Sequence, residues 1–252
     1  MNFHLPGVVF VGILLLGCTT HQIQGNQDWS DPLESFNRSM FNFNYNVLDP
    51  YVVRPAAVAW QHYVPQPARN GLNNFLMNLK EPATMVNYFI ARKPRKAAVH
   101  FNRFFLNTLL GMGGLIDVAS MANPKLDKEE PRRFGSTLGY YGVGYGPYIH
   151  LPGYGSFTLR EDIGGFVDAL YPLLSCLTWW MSAGKWVLEG LETRTQLLGS
   201  DGLLQTSQDP YSMIRVAYFQ QHDFLANDGM LTPQENLNTE TVQDAFNLID
   251  TQ

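Results

Sequence analysis

Charge is scarce in this chain. Of its 252 residues only 15% are Asp, Glu, Lys or Arg, against roughly 25% in ordinary soluble domains, so much of the surface is expected to face something other than water. Basic residues are the minority. Seventeen Lys and Arg against 22 Asp and Glu give a formal charge of -5 and a pI near 5.6, which argues against a nucleic-acid binder, since that needs a basic field for phosphates. Cysteine is nearly absent: Cys18 and Cys176 are the only two, and Cys176, inside an apolar run, reads as a small buried hydrophobe.

Chemistry-bearing motifs are missing as well. Gly153-Tyr154-Gly155-Ser156-Phe157 is not the G-x-S-x-G elbow that presents a nucleophile. His21, His62, His100, His150 and His222 show no metal-ligand spacing. Gly142-Val143-Gly144-Tyr145-Gly146 lacks the spacing that seats a pyrophosphate. Arg160-Glu161-Asp162 is explained as a solvated helix start. No enzyme, metal or cofactor is expected.

No apolar run reaches bilayer-spanning length. Ala169–Gly184 is uncharged but would extend roughly 24 Å as a helix, short of the ~30 Å hydrocarbon layer, and Pro172 interrupts it. Phe104–Ile116 is shorter. Sequence does not choose between burial of these runs in one leaflet and burial in a core.

The features that are present begin with the N-terminus. Leu5–Leu16 matches the apolar region of a signal peptide, and Leu15-Leu16-Gly17-Cys18 resembles the lipobox of bacterial lipoproteins, in which cleavage precedes an acylated cysteine. Residues 1–17 are therefore expected to be a signal peptide, and 18–30 a lipidated tether. Lipidation of Cys18 leaves Cys176 without an intramolecular disulfide partner. Thr19, which is not Asp, favours the outer membrane by the sorting rule of such lipoproteins.

Residues 31–225 read as one all-α domain. Asp31-Pro32 with Glu34 is a helix start, and Leu33, Phe36, Met40, Phe43 and Val47 recur at helical spacing. The expected helix is Pro32–Leu48, ended by Asp49-Pro50. A strand is the alternative, because "MFNFNYN" also alternates aromatic and asparagine. Prolines at 50, 55, 65, 67, 82 and 94 are expected to cut the next stretch of chain into short helices. Asparagine is the recurring polar partner, at 70, 73, 74, 78, 87, 102 and 107. Residues 226–252 read as an acidic polar tail.

Two further stretches stand out. Phe134–Phe157 interleaves seven glycines with five tyrosines, giving a bend or hinge centred on Gly142, Gly144 and Gly146, or an ordered hairpin. Arg92, Lys93, Arg95 and Lys96, with Arg132 and Arg133, either contact lipid phosphates or form a solvated face.

The strings "DPLESFNRSMFNFNYNVLDPYVVRP", "NNFLMNLKEPATMVNYF", "RFFLNTLLGMGGLIDVA" and "RFGSTLGYYGVGYGPYIHLPGYGSFTLRED" resemble the MlaA family, also called VacJ. The resemblance covers nearly the whole chain after the signal. It implies a ring of helices embedded in the outer membrane beside a trimeric porin, with an amphipathic channel that takes misplaced phospholipids to a soluble periplasmic carrier. It also implies lipidation at Cys18 and a flexible hairpin at Gly142, Gly144 and Gly146. On this basis Phe41, Phe43, Tyr45, Asn42 and Asn44 are expected to line the channel or its gate. A porin-associated scaffold without a passage is the rival expectation.

Overall fold

The computed structural model describes residues 29–171, 174–175 and 177–230. The signal peptide, Cys18 and nearly all of the expected tether and tail lie outside the described residues, as does Cys176. Within them the regular structure is almost entirely helical. In order come α1 (Glu34–Phe43), a π-helical segment (Asn44–Val53), α2 (Arg54–Tyr63), α3 (Gln66–Ile90), α4 (Pro94–Leu109), α5 (Val118–Ala122), α6 (Phe134–Tyr140), β1 (Tyr148–Leu151), β2 (Gly155–Thr158), α7 (Leu159–Ala169), α8 (Trp179–Leu197), α9 (Asp201–Thr206) and α10 (Pro210–Ala226). Single turns of 3₁₀-helix lie at Pro124–Leu126 and Leu198–Ser200.

Proline opens helices here where its missing N–H costs nothing. Pro55, Pro67, Pro94 and Pro210 all fall in the first two positions of their helices. At α10 the side chain of Asp209 adds a cap by accepting from the Ser212 N–H at 3.1 Å.

Two other prolines do not interrupt the chain as expected. Pro50 lies inside the π segment, and the helical path runs on from Glu34 to Tyr63. The wider π turn supplies the reason: the Arg54 N–H bonds back to Asp49 O, five residues away, so the backbone passes the imino residue by a local change of period. Asp49 does not end a helix. Its carboxylate is gripped at 2.7 and 2.9 Å by Arg194 of α8. Pro82 sits within the 25 residues of α3, where packing along α4 holds both sides of the missing bond in helical register. Asp31 likewise does not cap α1, whose N-cap is Leu33 without a side-chain bond. It accepts from Asn37, from the Tyr211 hydroxyl and from Arg215 at 2.8 Å, tying the start of the domain to α10.

The glycine-rich middle contains an antiparallel hairpin, with Tyr148 opposite Thr158 and Leu151 opposite Gly155. The helices α6 and α7 that flank it cross at glycine. A Cβ on Gly164 would lie 2.3 Å from the Gly135 nitrogen, so this approach admits no side chain. Of the uncharged run Ala169–Gly184, Ala169 ends α7 and the part from Trp179 opens α8, with the described residues between them in neither helix, and no described helix is long and apolar enough to cross a membrane.

The apolar core is small. Phe41, Tyr148, Tyr211 and Phe219 form it, with Trp29 stacked on Phe219 at 5.3 Å and Tyr45 stacked on Phe41 at 5.5 Å. Among the described residues, twelve buried side chains are hydrophobic and nineteen are polar or charged. That inverts the usual order of a water-soluble domain.

Candidate functional site

The polar interior is built from bridges that each join different elements. Asn87 donates to Arg132 O at 3.0 Å and to Asp168 at 2.7 Å. Asn107 holds Asp117 and the Ala119 N–H, both at 2.9 Å. Asn78 reaches Thr108 at 2.9 Å. Glu81 of α3 accepts from His100 at 2.6 Å and Arg103 at 2.7 Å, both on α4. Each of these bridges joins protein to protein directly, and such pairing offsets the cost of burying polar groups. The asparagines at 78, 87 and 107 thus serve as internal struts.

The aromatic and asparagine stretch divides by position. Phe41 is 6% exposed and belongs to the core, meeting Tyr211 and His150 edge-on. Tyr45 lies against it, half-buried. Phe43 is 43% exposed and Asn42 is exposed. Asn44 is committed to the hairpin: it donates to Leu151 O at 2.8 Å, accepts from the Gly153 N–H at 2.8 Å and faces His150 Nε2 at 3.2 Å.

Asn37, a residue that sequence reasoning passed over, does the same two turns earlier. It donates to Tyr148 O at 3.1 Å and accepts from the His150 N–H at 2.8 Å. Its amide therefore stands in for a neighbouring strand on the edge of β1. The i, i+7 spacing of Asn37 and Asn44 on one helical face was the available signal.

The preceding loop is held at two points. Gly142 and Gly146 have φ of 82° and 75°, in the region that favours glycine, while Gly144 has open space at its Cα. Arg160 donates to Val143 O at 3.0 Å and its guanidinium lies 3.6 Å from the Tyr145 ring. Tyr145 in turn donates to Asp223 at 2.6 Å. Burial above all, and then this carboxylate, push the phenol far above its ordinary range.

The basic residues separate sharply. Arg132 is 2% exposed; it pairs with Asp228 at 2.6 Å, bonds Thr137, and lies over the Tyr88 and Tyr140 rings. Lys93 also pairs with Asp228 and sits 4.1 Å from the Tyr140 ring. Lys96 is 3.7 Å from Glu129. Arg92, Arg95 and Arg133 are exposed. Between α3 and α8, Lys80 and Lys185 share Glu189 at 2.8 and 2.9 Å. Burial draws the Lys80 ammonium below its usual pKa, partly offset by Glu189.

The outside is apolar to an unusual degree. Phe105 and Leu109 are exposed on α4 and Leu110 and Met112 just beyond it, Phe166 on α7 and Leu170 just after it, and Trp180 and Met181 on α8, where Trp179 reaches 81%. An open groove of about 440 Å³, lined by Pro50, Arg54, Val58, Ala59, His62 and Tyr63, lies along the π segment and α2. Among the described residues no group of three His, Cys, Asp or Glu could hold a metal ion.

An ion-paired, amide-bridged interior beneath an apolar rind defines a helical protein whose outer surface is suited to apolar surroundings. The chain belongs to the MlaA family: the family model described as "MlaA lipoprotein" matches residues 29–225. It is 64% identical over all 252 residues to the intermembrane phospholipid transport system lipoproteins MlaA of Shigella flexneri and of Escherichia coli (strain K12), covering the whole of each. The protein of the same name from Haemophilus influenzae is 44% identical over 87% of this chain and 88% of its own. A solved structure described as "Structural basis for maintenance of bacterial outer membrane lipid asymmetry" matches with a TM-score of 0.77 and 73% identity, over 79% of this chain and all of the other.

Proposed function

We propose that this protein is an outer-membrane lipoprotein, anchored through an acylated Cys18, that withdraws misplaced phospholipids from the outer leaflet and passes them to a soluble periplasmic carrier. It works beside a trimeric porin and maintains lipid asymmetry without catalysing a reaction. The observation that carries this reading is the inversion of inside and outside. Moving a two-tailed lipid through water exposes on the order of thirty methylenes, about 24 kcal/mol at ~0.8 kcal/mol each. A protein that offers apolar surface to the tails and polar groups to the head removes most of that cost.

In this reading the exposed Phe43 and Asn42 belong to the lipid path, while Phe41, Tyr45 and Asn44 brace the hairpin that borders it. Gly142, Gly144 and Gly146 let the segment before the hairpin adjust. Of the basic residues, Arg92, Arg95 and Arg133 are free to meet headgroups.

The test uses the full lipidated chain in phospholipid bilayers with the soluble carrier, followed by analysis of lipid on the carrier. Intact phospholipid is expected, reduced several-fold by Phe43→Asp in folded protein. Lysolipid or free fatty acid would indicate an enzyme. An empty carrier would leave the porin-bound scaffold as the function.

A further inference from the structure

The turn between α3 and α4 carries more cations than acids. Asp228, just past the end of α10, is held by Arg132 at 2.6 Å and by Lys93. Lys96 and Arg132 both lie over the Tyr88 ring, at 5.4 and 5.3 Å, so Arg132 belongs to the same cluster as the turn. Arg92 and Arg95 stand on either side of Lys93, are exposed, and make no side-chain hydrogen bond or ion pair with another described residue. Five cations thus share one patch. Against them stand three acids, Asp228, Glu129 at 3.7 Å from Lys96, and the exposed Glu130 next to it, which leaves two positive charges over. Apolar surface borders the patch: Phe89 is 71% exposed, and Ile90, also exposed, has its carbonyl bonded by the Tyr141 hydroxyl at 2.7 Å.

The chain leaves the described residues at this patch. Met230, the last of them, is two residues past Asp228. Residues 231–252 contain Glu235, Glu240, Asp244 and Asp250 and no Lys, Arg or His. Leu231 and Leu237 fall among the first of these acids. Glu235 lies seven residues beyond Asp228, a reach of up to ~25 Å, and Arg92, Arg95 and Lys96 are one to three residues from the lysine that Asp228 touches. The nearest tail carboxylate therefore falls within reach of the unpaired guanidinium groups. Exposed pairs contribute little singly, but a short tether supplies an effective concentration on the order of millimolar, and several acids face several cations.

We propose that the chain's own acidic tail, residues 231–252, docks on the α3–α4 turn, with Glu235 and Glu240 against Arg92, Arg95 and Lys96 and the nearby leucines against Phe89 and Ile90. The contact extends the grip that Lys93 and Arg132 already have on Asp228. Docked, the tail is a tethered competitor of anionic headgroups for the same guanidinium groups, so the turn meets a lipid surface only after the tail lifts. This self-contact stands whether or not the protein is a conduit.

The test couples carboxylates to neighbouring amines with a water-soluble carbodiimide, in the full lipidated chain in nonionic detergent, and reads the linked pairs by mass spectrometry. The tail has no lysine of its own, so a link from Glu235 or Glu240 to Lys93 or Lys96 reports the docked state. Such a link is expected, at a yield unchanged by tenfold dilution. Arg92→Gln/Arg95→Gln removes the two surplus charges and is expected to cut the yield at least threefold. The link between Lys80 and Glu189, 2.8 Å apart, is expected to keep its yield in the same sample, which verifies the fold. No link from the tail to either lysine, or one that persists at full yield in the double variant, overturns the proposal. A yield that falls in proportion to dilution assigns the tail to a second copy and overturns self-docking. An unlinked tail, together with loss of binding to phosphatidylglycerol vesicles in the double variant, would make the turn a lipid contact instead.

Discussion

Replacing Asn37 with leucine keeps the branched heavy-atom skeleton of the side chain and removes the amide that completes the edge of β1. The position is fully buried, so water cannot take over the vacated bonds. Two main-chain groups, Tyr148 O and the His150 N–H, are then orphaned, and each buried orphan costs about 1–3 kcal/mol. The added apolar contact returns part of this, which sets the expected loss near 3 kcal/mol, against a total stability on the order of 5–15 kcal/mol. Asp31 keeps Tyr211 and Arg215 as partners, so the domain start remains attached and the damage stays at the hairpin. Hydrogen exchange of the His150 amide is the direct assay. A fall of 3 kcal/mol in opening free energy corresponds to exchange about a hundredfold faster. Asn42→Leu, at an exposed position on the same helix, is the control and is expected to change the rate less than threefold. Unaltered exchange at His150 in Asn37→Leu would refute the claim that this amide substitutes for a strand.

Two other consequences can be checked separately. Burial lowers the pKa of His150, and its Nε2 faces the Asn44 amide, so the neutral ring is the one the fold accepts. Because the folded value lies below the unfolded one, near 6.5, hairpin stability is whole above that pH and declines as pH falls through the window beneath it. An NMR titration that put the imidazole midpoint at or above 6.5 would contradict this. At the crossing of α6 and α7, Gly164→Ala forces a methyl against the Gly135 backbone and is expected to cost about 1–3 kcal/mol by overpacking, while Gly144→Ala, with nothing near it, leaves the melting midpoint almost unmoved.

The helical class of the domain was legible in the apolar spacing and in prolines at helix starts. Its exceptions were not. Pro50 looks identical in sequence whether it ends a helix or rides within a π turn, because the difference lies in hydrogen-bond period. An ordered hairpin was one of the two readings of the glycine-rich stretch, but its edge partner was hidden, because Asn37 lies 111 residues from Tyr148. Asparagine itself carries no label for direction: the same amide serves solvent at Asn42 and a buried strut at Asn87. Arg132 and Arg133 make the same point, since adjacent identical side chains part at a helix start and meet wholly different surroundings. Salt partners such as Glu81 and Arg103 sit on separate helices, and only the turn at Arg92, with φ of 59°, brings those helices back alongside each other.

Choosing carboxamides for so many joints has an effect on what can disturb this molecule. Dissolved ions dim the attraction between opposite charges over a few ångströms of accessible space, but a strut such as Asn87 or Asn107 has no net charge to dim and no proton to lose. Shifts in salinity should therefore reach the outer pairs first, and leave the geometry of the skeleton as it was.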